Sequence, residues 1–374
     1  MKVEDFISQM KRIGIETVTG VPDSTLKQFC DYMNREGSTE FAHYVPANEG
    51  ASVGIAVGIY LATGKPACVY MQNSGIGNVV NPVTSIANEE VYDIPMLFIT
   101  GWRGEPGGKD EPQHKFMGKI TEAMFEVLNI EHAVIGPDTD KIKLEEIFTR
   151  AKTQLENNKQ FAIIVKKETF EKRINSDYSN QYTLNREEVI GEIIKSIKKE
   201  DVVISTTGKI SREVYEQSDK INNSHAQDFL TVGGMGHASM IAFGYAKSRP
   251  DKRVYCIDGD GALLMHMGTL AFLSNYACEN FVHICINNMA HESVGGMPTG
   301  AAGLHFAEIA KAVGYEKVYH VENKQQLEEC LSHIATENCL TFLEIMVSVD
   351  SRADLSRPKE TAIENKQNFM EYHR

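Results

Sequence analysis

The chain has 374 residues, 42% apolar and 24% charged, which is ordinary for a soluble globular protein with room for two or three domains. A formal net charge of −13 excludes a nucleic-acid or membrane-surface role built on a basic face, but leaves room for a local cationic pocket that takes an anionic substrate. No apolar run approaches the ~20 residues needed to cross a bilayer. The acidic start Met1-Lys2-Val3-Glu4-Asp5-Phe6 lacks the apolar core of a signal peptide, so a cytoplasmic protein is expected.

In chain order, short β-type runs near 17–19, 67–71, 96–100 and 162–166 alternate with helical patterns at 24–35 and 48–62. The second of these helices is Ala, Gly, Val and Ile on all sides and is expected to lie buried between layers. Periodicity lapses from 168 to 185, where the polar run 172–180 reads as a linker. A helix with Val189, Ile190, Ile193, Ile194 and Ile197 on one stripe follows at 186–199. Further strands are expected at 202–205, 229–232, 254–257, 282–286 and 342–347. Strands alternating with helices imply parallel α/β sheets, in two domains: 1–170 and 187–374, joined by 171–186. Seven cysteines without a C-x-x-C pair, with Cys68, Cys256 and Cys285 inside apolar strands, read as buried free thiols.

The strand ending at Ile257 runs into Asp258-Gly259-Asp260-Gly261, and the strand ending at Ile286 runs into Asn287-Asn288. Both clusters sit past the carboxyl ends of strands, where open parallel sheets bind ligands. The glycines let the backbone approach a phosphate closely. Asp260 and an Asn amide oxygen are hard ligands of the kind that share magnesium with a phosphate. Taken alone, either cluster is also an ordinary turn with Asn or Asp caps.

The 25 residues between Gly261 and Asn287 match the two-part motif of thiamine diphosphate-dependent enzymes. The resemblance extends to Gly20-Val21-Pro22-Asp23-Ser24, to the block from Gly104 to His114, to Gly234-Met235-Gly236-His237-Ala238-Ser239, and to the block from Asn287 to Thr299. All four resemble segments of phosphonopyruvate decarboxylases and the related sulfopyruvate decarboxylases, and they span both halves of the chain. The resemblance implies the thiamine diphosphate-binding fold: a pyrimidine-binding domain, then a diphosphate-binding domain, with no middle domain. It implies thiamine diphosphate and Mg2+ as cofactors, a small anionic 2-oxo acid as substrate, and a homo-oligomer of at least two chains with active sites between subunits.

Carried over by resemblance, Asp260, Asn288 and the Ala290 carbonyl ligate the metal. Gly259, Gly261, Ala262, Thr206 and Thr207 contact the cofactor. Ala262 departs from the small hydroxyl residue frequent there, which shifts phosphate contact onto the backbone. Thr206 and Thr207 also suit helix caps. Met235 stands where a bulky apolar residue supports the cofactor's bent shape, with core methionine as the competing reading. Glu49 occupies the place of the glutamate that hydrogen-bonds the cofactor's aminopyrimidine. The alternative is a helix-start carboxylate stabilised by under ~1 kcal/mol.

For substrate, the matching blocks offer Asp23, Ser24, Arg103, Lys109, His114, His237 and His291, with His114 and His291 able to move protons. For Asp23 and Ser24, a turn that caps the next helix is the competing reading. The implied reaction is decarboxylation of 3-phosphonopyruvate to phosphonoacetaldehyde in phosphonate biosynthesis. Sulfopyruvate decarboxylation is the nearest rival, followed by carboligation and a non-catalytic subunit of the same fold. A nicotinamide dehydrogenase is rejected, because no G-x-G-x-x-G follows the first strand.

Overall fold

The computed structural model describes residues 1–172, 178–276, 278–292 and 296–374. The centre of the expected linker, 173–177, and residues 293–295 of the last matching block lie outside the described residues. The chain forms two compact units, Met1–Asp177 and Tyr178–Arg374.

The first unit carries strands β1 (Thr17–Gly20), β2 (Ala42–Tyr44), β3 (Ala67–Gln72), β4 (Met96–Gly101), β5 (Glu131–Ile135) and β6 (Phe161–Val165). Their order is β2-β1-β3-β4-β6-β5, and every pairing is parallel. The central strands are buried along their length up to Gln72 at the end of β3, as a sheet covered on both faces requires. Val69, Met71, Met96 and Phe98 pack with Val53 and Ala56 of the helix Glu49–Thr63.

The second unit carries β7 (Val202–Ser205), β8 (Asp228–Leu230), β9 (Val254–Gly259), β10 (Phe281–Asn287), β11 (Ala290–His291), β12 (Met297–Pro298), β13 (Lys317–Val321) and β14 (Thr341–Met346). Its main sheet runs β13-β14-β10-β9-β7-β8, again all parallel, while β11 and β12 form a small antiparallel pair. Alternate residues of β9, β10 and β14 feed two separate cores, one on each face.

Three strands lie outside the runs expected from the sequence: β2, β5 and β13. All three are sheet edges with half-exposed residues, and an edge strand needs only one apolar face. The strand expected at 229–232 is corrected to Asp228–Leu230. The helix Glu49–Thr63 also departs from expectation. Val53, Ala56 and Val57 face the core, but Ala51, Gly54, Gly58, Leu61 and Ala62 are exposed, with Leu61 at 72%. A helix apolar on every side shows no polarity stripe, so the pattern could not reveal that one face is left open. Among the described residues, no helix is long and apolar enough to cross a membrane.

Candidate active site

Near the middle of each sheet the strand order reverses, and this is where open α/β sheets present ligand sites. In the first unit it falls between β1 and β3, in the second between β7 and β9. The motif residues lie at these points and past the neighbouring strands, with Asp260 after β9, Asn287 and Asn288 at and after the end of β10, and Arg103 after β4.

In the first unit, the Asn48 side chain caps the helix Glu49–Thr63 by accepting the Ala51 N–H at 3.0 Å, which sets Glu49 at its first turn. Glu49 is 5% exposed. Its Oε2 accepts from Asn78 Nδ2 at 2.7 Å. The rest of the carboxyl lies against Gly75, where a Cβ would stand 2.5 Å from Oε1. Only glycine leaves that space.

Around β1, β3 and β4, a second group forms. Asp23 is fully buried. Its Oδ2 accepts the Thr25 and Leu26 N–H groups at 2.9 and 3.2 Å, and its Oδ1 accepts from Gln72 at 2.7 Å. Burial raises its pKa above the ordinary carboxyl value. Asp23 holds the turn through these bonds. Ser24 accepts from Arg103 Nη1 at 2.8 Å. Arg103 also grips Asp110 through Nε at 2.8 Å and Nη2 at 2.5 Å. Burial opposes the Arg103 charge, but the Asp110 bonds outweigh it and keep the guanidinium protonated. Asp110 also accepts the Gly104 and Glu111 N–H groups, both at 2.7 Å. Burial alone would raise the Asp110 carboxyl, but Arg103 and these donors hold it well below the usual range. His114 is half-buried, and burial together with the Arg103 charge favours its neutral form. Lys109 is exposed in the same loop, outside these bonds.

In the second unit, Thr206 follows β7 and donates its N–H to the Ile257 carbonyl at 2.8 Å. Thr207 Oγ1 accepts the Gly233 N–H at 2.8 Å, which ties the glycine loop 233–236 to the switch point. Gly233, Gly234 and Gly236 all have positive φ, as a loop folded this sharply requires. Met235 and His291 both converge on Gly261, where a Cβ would meet Met235 Cε at 3.2 Å and the His291 ring at 3.5 Å. Burial lowers His291 to about 4, so it is neutral near pH 7. His237 is exposed and donates from Nδ1 to the Gly234 and Met235 carbonyls at 3.0 and 3.2 Å. It steadies the loop.

Asp260 opens the short helix Asp260–Met265 and is 4% exposed. Its Oδ2 accepts the Thr299 hydroxyl at 2.6 Å, yet burial still pushes its carboxyl up to about 7. Asn287 is fully buried: it donates to Glu344 at 3.0 Å and accepts the Met289 N–H at 3.1 Å. Met289 takes φ 57°. Asn288 Oδ1 accepts the Ala290 N–H at 3.0 Å, and its Nδ2 donates to Glu292 at 2.9 Å. Ala290 pairs with Pro298, which has no N–H to offer the Ala290 carbonyl. A buried carboxylate short of positive charge, an amide oxygen and a carbonyl oxygen form the donor set that a hard divalent cation takes alongside phosphate oxygens. These residues fit such a cation. The expected residues missed several others that shape the site, among them Gln72, Asn78, Asp110, Arg186, Glu292 and Thr299. Asp110, Glu292 and Thr299 lay inside matching blocks as polar side chains that could have been singled out.

Two family models match the chain. The N-terminal TPP binding domain of thiamine pyrophosphate enzymes matches residues 1–125, and the C-terminal TPP binding domain matches 207–345. Phosphonopyruvate decarboxylase of Streptomyces viridochromogenes is 30% identical, over 98% of this chain and 94% of that protein. Phosphonopyruvate decarboxylase of Streptomyces hygroscopicus is 29% identical over 100% and 94%. Sulfopyruvate decarboxylase of Methanosarcina acetivorans is 25% identical over 92% and 90%.

Proposed function

Because this chain belongs to the phosphonopyruvate decarboxylase family of thiamine diphosphate enzymes and is a carboxy-lyase acting on a pyruvate-like acid, we propose that its substrate is 3-phosphonopyruvate. The products are phosphonoacetaldehyde and CO2, and the setting is phosphonate biosynthesis in the cytoplasm. The observation that carries the substrate reading is the match to two phosphonopyruvate decarboxylases over 98% and 100% of the chain, and Arg103, paired with Asp110, is the guanidinium at the sheet's carboxyl edge that can turn to an anion. An acidic protein that binds a trianion must gather cations locally.

When bound, thiamine diphosphate supplies the nucleophilic carbon and the electron sink for loss of CO2. The protein's part is binding, orientation and proton control. Asp260, Asn288 and the Ala290 carbonyl would hold Mg2+, and the backbone of Gly259 to Ala262, with Thr206 and Thr207, would hold the diphosphate. Met235 would support the cofactor from the loop side. Glu49, fixed by Asn78 and the space at Gly75, would keep a proton on the pyrimidine ring. Arg103 and Ser24 would take the phosphonate. Neutral His291 and His114 can accept a proton but are poor anion binders, so their place is in proton transfer.

We also propose at least a dimer. The open apolar face at Ala51, Gly54, Gly58 and Leu61 supports it, and a monomer's mass by light scattering with full activity would contradict it. The substrate is tested by offering purified enzyme, thiamine diphosphate and Mg2+ with pyruvate, sulfopyruvate and phosphonopyruvate in parallel. Phosphonopyruvate is expected to give the highest kcat/KM, and a preference for either other acid would overturn the proposal.

A further inference from the structure

The Asn288 amide is held from both ends. Its oxygen accepts a backbone N–H from Ala290, and its nitrogen points at Glu292 Oε2, 2.9 Å away. Glu292 is itself clamped. Arg186 Nη1 donates to the same Oε2, and Lys209 Nζ donates to Oε1 at 2.8 Å. Arg186 is buried and grips Glu213 through Nε and Nη2, at 2.7 and 2.8 Å. Two cations and two carboxylates thus balance in one network anchored on the helices Arg186–Ser196 and Lys209–Asn222. Both Glu292 oxygens thus accept from a cation, Oε2 from Arg186 and Oε1 from Lys209, so the carboxylate is ion-paired on both sides.

An ionised carboxylate only accepts hydrogen bonds. Opposite Asn288 it admits the amide nitrogen and repels the amide oxygen, which selects one of the two flips of that side chain. The selected flip turns Oδ1 away from Glu292. The Ala290 N–H favours the same flip from the other end, and Glu292 adds the contact that a rotated amide would lose.

We propose that Glu292 is a positioning residue that sets divalent-cation affinity by fixing the Asn288 amide, without touching the cation itself. The inference rests on Asn288 being a cation ligand. Partners one step removed from a metal typically change its affinity by roughly 10–100-fold. That is the loss expected for Glu292→Ala. Glu292→Gln keeps one acceptor, which can serve Asn288 or Lys209 but not both, so an intermediate loss is expected.

The test counts free Mn2+ by electron paramagnetic resonance in the presence of thiamine diphosphate, with thermal melting of each variant as the fold control. In an Asn288→Ala background, either Glu292 substitution is expected to add no further loss, a coupling that a merely structural role would not produce. If Glu292→Ala does not fold, Glu292→Gln carries the test. Normal Mn2+ affinity in both Glu292 variants, or a full additional loss in the Asn288→Ala background, would overturn the positioning role. Unchanged affinity in Asn288→Ala and Asp260→Ala would instead overturn the ligand assignment, and the inference with it.

Discussion

Gly75→Ala perturbs the Glu49 carboxyl without altering Glu49. Gly75 has φ −72° and ψ −13°, a conformation alanine adopts freely. The added Cβ would stand 2.5 Å from Glu49 Oε1 and 2.7 Å from its Cδ and Cγ, where ordinary contact begins at 3.4 Å. The carboxyl must therefore retreat by about 0.7–0.9 Å, and misplacement of that order costs roughly 100-fold in rate, or about 2.7 kcal/mol. Stability should barely change. Removing a glycine stiffens the unfolded chain by ~0.4–1 kcal/mol, and disturbing the Asn78 bond costs about 1 kcal/mol. Gly77→Ala, where a Cβ meets nothing within 4 Å, is the matched control. Steady-state kcat/KM and melting temperature for both variants decide the matter. A Gly75→Ala enzyme with the kcat/KM of the control would refute the role of a tightly placed Glu49.

Three further outcomes are expected. Arg103→Lys cannot reproduce the grip on Asp110 and Ser24, so KM for phosphonopyruvate should rise roughly tenfold; an unchanged KM would remove Arg103 from substrate binding. Burial pushes the Asp228 carboxyl up to about 7, so the folded state holds that proton more tightly than the unfolded chain does. Stability should therefore fall as pH rises from about 4 to about 7 and then level off, and Asp228→Asn should shrink the gap between denaturant midpoints measured at about pH 5 and about pH 8. Gly118→Ala would set a Cβ 1.7 Å from the Gly104 carbonyl oxygen, backbone against backbone. It should destabilise by more than about 3 kcal/mol, read as lost soluble yield or a lowered melting temperature.

The parallel sheets were legible because their central strands are continuous apolar runs, and β7 matches the expected 202–205 residue for residue. The edge strands were not, because Ala42-His43-Tyr44 and the start of β13 have no such run. The motif residues at β9 and β10 were legible because glycine, aspartate and asparagine mark strand ends by type. What could not be read was pairing across sequence. Arg186 looks like one more charge at a helix start, and only the fold brings it to Glu213 and Glu292, 27 and 106 positions away. The same holds for Asp23. Its neighbours in sequence show a turn, and only the fold brings Gln72 of β3 to its Oδ1.

The buried thiols have a practical consequence. Cys30 and Cys68 lie buried in the first unit, Cys256 and Cys285 in the second, and none is bridged. Burial pushes the Cys30 thiol up to about 12 and the other three still higher, so almost none is thiolate in the folded protein and alkylation is silent there. Each becomes reactive only when its own unit opens. Mass-resolved labelling of these four sulfurs would time the opening of the two halves separately, using reporters the chain already carries.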